Sequence, residues 1–169
     1  MFAQATMKIL ALLAMPLSAL AAPKMAISKR FDAAPFAPAT PEQEAFDMCS
    51  TEEHHKGKLA HTADMLDCLE IGEWASENNG EWVLKATTDA DDDCDWHILR
   101  AQGNCALLVK NTEPTSVGNK DVADLIEAIH LGDGIELGPI EEVGTFGGCQ
   151  GGAKVSFWLR NPEPADCSK

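Results

Sequence analysis

The sequence has no tyrosine, and its 13 lysines and arginines are outnumbered by 27 aspartates and glutamates. It also has no Cys-x-x-Cys pair, which removes both the thioredoxin-type redox motif and the usual half of a structural zinc site. A formal charge of −14 and an isoelectric point near 4.6 repel phosphate backbones and anionic lipid heads. No nucleic acid and no anionic membrane surface is therefore expected as a partner. There is no G-x-S-x-G, no H-E-x-x-H and no glycine-rich loop ending in Lys-Ser/Thr. The common signatures of serine hydrolases, zinc proteases and nucleotide binders are missing. No apolar run reaches the ~20 residues that a spanning helix needs.

The longest apolar run, "ILALLAMPLSALAA", follows Lys8 and is broken by Pro16. With small residues at Ala19 and Ala21 it reads as a secretory signal peptide over residues 1–21, cleaved after Ala21. The expected location is extracellular, with no membrane anchor. Residues 22–48 read as a flexible pro-segment or linker, because 31–47 carries three prolines and no hydrophobic period. Within it Lys29-Arg30 is either a dibasic site trimmed after Arg30 or a pair of solvated cations, and both readings stand. Trimming would remove four of the basic residues and no acidic ones, leaving a product of charge −18 that begins at Phe31.

All six cysteines lie in the remaining segment, residues 49–169, at Cys49, Cys68, Cys94, Cys105, Cys149 and Cys167. An even number in a secreted chain implies three disulfides, and residue spacing alone leaves 15 pairings open. Helical spacing begins near Thr62, a candidate N-cap. Met65, Leu66, Cys68 and Leu69 share a face, Gly72 is a candidate early stop, and Asn78-Asn79-Gly80 ends the helix. Strands are expected at 81–87, 95–100, 104–111 and 153–161. A second helix starts near Asn119, with Val122, Leu125, Ile126 and Ile129 on its buried face. The order α-β-β-β-α-β suggests an α+β sandwich: an antiparallel sheet of about four strands with both helices on one face.

Candidate chemistry is sparse. The run "TDADDDCDWH" (88–97) resembles a calcium loop at first sight. Counted from Asp89, however, position six is Cys94 where glycine is required, and position twelve is Arg100 where a bidentate acid is required. A solvated acidic turn remains. His54, His55 and His61 stand near Glu52 and Glu53, but adjacent histidines point apart on either a helix or a strand. They read as an exposed lead-in to the first helix. "VGNKD" is explained by helix capping without an anion. "GTFGGCQGG" (144–152) reads as a surface loop pinned by Cys149. The tryptophans could line a sugar groove, although Trp82, Trp96 and Trp158 fall in strands, where packing is the commoner role. No catalytic residue, metal ligand or cofactor is assigned.

The ordered set "DC" in a helix, "LRAQGNCALLVKN", "VGNKDVADLIEAI" and "GGCQGGAKVSFWLRNP" resembles the fungal necrosis-inducing factor domain, the Ecp-type family of small secreted effectors, over residues 49–162. The resemblance carries Cys49, Cys68, Cys105 and Cys149 as the core cysteines. It implies that the two extras, Cys94 and Cys167, pair with each other; among the core four, Cys68–Cys105 is expected as a bridge from the first helix to the central strand, which leaves Cys49–Cys149. The element order is also similar to that of fungal killer toxins, a likeness of fold alone. The resemblance implies a secreted, non-enzymatic effector or elicitor that acts on host cells; the expected partner is an unidentified protein of a host or competitor, and the chain is expected to be a monomer. The alternatives are a killer-toxin-like antimicrobial and an inhibitor of host hydrolases presenting loop 144–152.

Overall fold

The computed structural model describes residues 31–87, 95–132 and 137–162. In chain order the strands and helices are β1 (Asp32–Ala33), β2 (Phe36–Pro38), β3 (Ser50–Lys56), β4 (Ala63–Asp64) and α1 (Met65–Glu77), followed by β5 (Gly80–Leu84), β6 (His97–Gln102), β7 (Cys105–Asn111) and β8 (Thr115–Gly118). The chain continues with α2 (Asn119–Gly132), β9 (Pro139–Ile140), β10 (Glu142–Gly147) and β11 (Val155–Arg160).

The main sheet has six strands in the order β1-β6-β7-β11-β10-β3, rather than about four. β1 joins parallel to β6, and the other pairings are antiparallel. The expected strand at 81–87 belongs to a separate three-stranded sheet, β2-β5-β8, and β4 pairs with β9. The class is α+β, stapled by disulfides.

Side-chain alternation explains the two faces of the main sheet. Leu107, Val109, Phe146, Val155, Phe157 and Leu159 face one way and pack against Met65, Ile71 and Ala75 of α1 and Val122, Leu125, Ile126 and Ile129 of α2. Both helices therefore cover the same face. Gly72 does not end α1. It lies inside the helix, where an added Cβ would come within 3.0 Å of Ile126 Cβ, so its lack of a side chain lets the helices approach. The opposite face carries a smaller cluster of Phe31, Ile98, Ala106 and Leu108, flanked by Trp96 and Trp158.

Several local expectations shift. The N-cap of α1 is Asp64, which accepts from Leu66 N–H at 2.9 Å. Thr62 precedes it, and Ala63–Asp64 is held in β4. Residues 31–48 do not form a free linker. Phe31 and Ala34 are buried, β1 pairs with β6, and β2 pairs with β5. The three prolines do not prevent this, since short edge strands tolerate residues that lack an N–H. The segment 52–61 is not only a lead-in to α1, because its first half lies in edge strand β3. The first four residues of 144–152 lie in β10, inside the sheet between β11 and β3. Only the stretch after Gly147 is a loop.

Candidate functional site

Two disulfides join elements far apart in sequence. Cys68 of α1 is bonded to Cys105 at the start of β7, 37 positions later, and Cys49 is bonded to Cys149 across 100 positions. Cys94 and Cys167 lie outside the described residues, as do the expected cleavage points at Ala21 and Arg30 and the acidic run 88–94.

Beside Cys49, the first turn of α2 ties the amino-terminal arm to the core. Asn119 is the first helical residue rather than the cap. Its Oδ1 accepts from Phe46 N–H at 3.0 Å and Gly80 N–H at 3.2 Å, while its Nδ2 donates to Ala75 C=O at 3.0 Å. Asp121 reaches back to accept from Gly118 N–H at 2.7 Å, the reciprocal half of a capping box. It also accepts from Cys49 N–H at 3.0 Å and Met48 N–H at 3.1 Å. Burial pushes the Asp121 carboxyl from 3.8 up to about 6, against the pull of those N–H donors. "VGNKD" is thus a structural knot. Its polar groups are spent on the chain itself.

The histidines separate as strand geometry requires. His54 Nδ1 lies 3.5 Å from buried Glu142, whereas His55 and Glu53 face the opposite side of the sheet. His61 stands edge-on to Trp158, with ring centroids 6.1 Å apart. Among the described residues no three His, Cys, Asp or Glu side chains converge to hold a metal ion. No helix among them is long and apolar enough to cross a membrane.

The four tryptophans divide into two pairs. Trp82 is fully buried and Trp74 partly so, and both contact Phe36 at 4.8 and 5.2 Å. The Arg100 guanidinium lies 3.9 Å above the Trp74 ring, and burial lowers its pKa. This pair is core. Trp96 and Trp158 lie instead on the helix-free face of the main sheet, meeting edge to face at 5.7 Å. They form one wall of a groove of about 340 Å³ whose other boundary includes Glu53, His55, Thr145 and Ser156. Trp158 Nε1 donates to buried Glu141 at 3.0 Å, and the other Glu141 oxygen accepts from His61 N–H at 3.2 Å, so this indole is held in place. Arg160 stacks 4.3 Å from the Trp158 ring, and burial lowers its pKa while nearby Glu141 opposes that shift. Trp96 Nε1 and Thr145 Oγ1 are sheltered from water and have no hydrogen-bond partner among the described residues. The sequence raises a tryptophan-lined groove but favours packing for Trp96 and Trp158, and it gives no sign of the residues that face them. β3 and β10 show no apolar period of their own, so nothing in the sequence places Glu53, His55 and Thr145 beside them.

Together these features define a class: a small α+β domain cross-tied by disulfides, with polar residues engaged in holding its own chain and one sheet face that carries no helix among the described residues. Residues 48–146 match the Hce2 family, described as "pathogen effector; putative necrosis-inducing factor". That is more than half of the chain, and the protein belongs to this family. The match runs from just before β3 to within β10. It therefore includes Cys49, Cys68 and Cys105, and stops short of Cys149 and β11. No curated protein matches the chain.

Proposed function

We propose that this protein is a secreted effector that acts on host plant cells by binding a host protein rather than by catalysis. Family membership over residues 48–146 carries this reading. The two long-range disulfides support it, since such bonds persist in oxidising, extracellular surroundings. In this reading the signal peptide is cut after Ala21, the chain is trimmed after Arg30, and the product works as a monomer. Its rigid frame presents a surface to the partner.

Infiltration of purified protein into leaves of diverse genotypes tests the effect on the plant. Local cell death in responsive genotypes is expected, and its absence in every genotype counts against the elicitor reading. Capture from apoplastic fluid on immobilised protein tests for the partner. Recovery of an active hydrolase whose activity the protein blocks would favour the inhibitor alternative. Clearing zones on lawns of yeasts or other fungi, without effect on leaves, would favour the killer-toxin-like alternative.

A further inference from the structure

We propose that the groove between Trp96 and Trp158 is a binding site for a hexopyranose unit of a neutral glycan. The argument rests on the chemistry of the lining. A volume of about 340 Å³ sits at the small end of the ~300–1,000 Å³ range of ligand pockets, which suits one or two sugar rings. The groove joins an aromatic wall to a polar rim of Glu53, His55, Thr145 and Ser156. A pyranose has the matching form: a ring face of C–H groups, weakly positive, that suits the negative face of an indole, and an edge of hydroxyls.

Other ligand classes fit less well. An acyl chain would cover the indoles but lie against the polar rim of Glu53, His55, Thr145 and Ser156, whose groups it cannot hydrogen-bond. A sugar instead sets hydroxyls, each both donor and acceptor, against that rim. An anion meets Glu53 at the rim and a chain of net charge −14. A cation meets indoles that already have cations beside them, since Arg160 lies 4.3 Å from the Trp158 ring and Lys110 Nζ 5.8 Å from the Trp96 ring. A neutral polyol remains. The Trp158 bond to Glu141 holds that wall before any ligand arrives, which lowers the ordering cost of binding.

The site does not depend on the effector reading, and the two can fail separately, because glycan binding is measured on purified protein without plant tissue. The chain has four tryptophans and no tyrosine, so four indole N–H resonances can be followed during titration. The probes are cellohexaose, chitohexaose, laminarihexaose, xylohexaose and mannohexaose, each added to the intact secreted protein. At least one is expected to shift the Trp96 and Trp158 resonances saturably while those of Trp74 and Trp82 stay fixed. Trp96→Ala should weaken that binding by about tenfold or more. Ser156→Lys, at an exposed position whose longer side chain fills the groove, should do the same. Both variants are checked for a wild-type amide spectrum, and if Trp96→Ala does not fold, Ser156→Lys alone decides. The proposal is overturned if none of the five glycans moves the Trp96–Trp158 pair, if all four indoles move together, or if folded Ser156→Lys binds as tightly as the wild type.

Discussion

The Asp121 carboxylate accepts the Cys49 amide at 3.0 Å across 72 positions of sequence. That bond places a buried acid directly beside the Cys49–Cys149 bridge. Its pKa in the folded chain is about 6, against 3.8 when unperturbed, with burial the largest cause. Between those values the folded chain keeps a proton that the unfolded chain has lost. Stability from this group is therefore greatest at the acid end of the window and falls as pH rises through it. Melting temperature measured from pH 4 to pH 7 should show this decline, and Asp121→Asn, which cannot titrate, should lack that component. An identical slope in both proteins would refute the assignment. Asp121→Ala, which leaves three N–H donors unmet, should cost at least about 2 kcal/mol.

The two bridges close loops of different length, so removing them should have unequal effects. On chain entropy alone, a loop of 37 positions gives about 4 kcal/mol and one of 100 about 5 kcal/mol. Paired Cys→Ala substitutions should therefore lower the urea midpoint in both cases, with Cys49/Cys149 the larger loss. The Cys94–Cys167 pair, proposed from the family resemblance, is read by non-reducing peptide mapping. A fragment linking Cys94 to any other cysteine would exclude it.

Two glycines should respond oppositely to alanine. A Cβ on Gly118 would run into the Phe46 carbonyl oxygen, which accepts from Lys120 N–H at 3.1 Å. Gly118→Ala should displace the arm at 46–49 and cost about 1–3 kcal/mol. Gly132 ends α2, and among the described residues nothing lies within 4 Å of its added Cβ. Gly132→Ala should be neutral or stabilise by up to about 1 kcal/mol. Denaturant unfolding distinguishes the pair, and equal effects would contradict the packing described for Gly118.

Much of this fold could be read in the sequence where one element shows its own period. The buried face of α2, with Val122, Leu125, Ile126 and Ile129, repeats at helical spacing, β7 is a short apolar run buried on both faces, and Val155, Phe157 and Leu159 of β11 alternate. The strands that were missed lack such a signal. β3 reads "STEEHHK" because it is an exposed edge. In β10 the core position Gly144 has no room for a side chain, because the Glu53 carbonyl oxygen and the Phe157 ring occupy that space, so the apolar alternation breaks there. Phe36 gains its partners Trp74 and Trp82 only through tertiary contact, which residues 31–47 cannot show by themselves. The groove was illegible for a related reason. Trp96 and Trp158 meet through a register set by β6, β7 and β11, 62 positions apart in the chain.

Phe31 gives the amino-terminal arm a role that a linker would not have. It is 6% exposed and packs with Ile98, Ala106 and Leu108 on the helix-free face of the sheet, and the adjoining β1 adds a parallel edge to β6. Trimming after Arg30, as proposed, would leave this residue as the new amino terminus and keep the whole docked arm. A cut further along would strip β1 from the sheet and uncover the cluster. Intact-mass measurement of the protein secreted by its native producer should therefore give a chain starting at Phe31. A start beyond Ala34 would be incompatible with the docked arm. Phe31→Ala should lower stability by about 2 kcal/mol through lost apolar burial, measured on the trimmed protein. A change near zero would return residues 31–38 to the status of a linker.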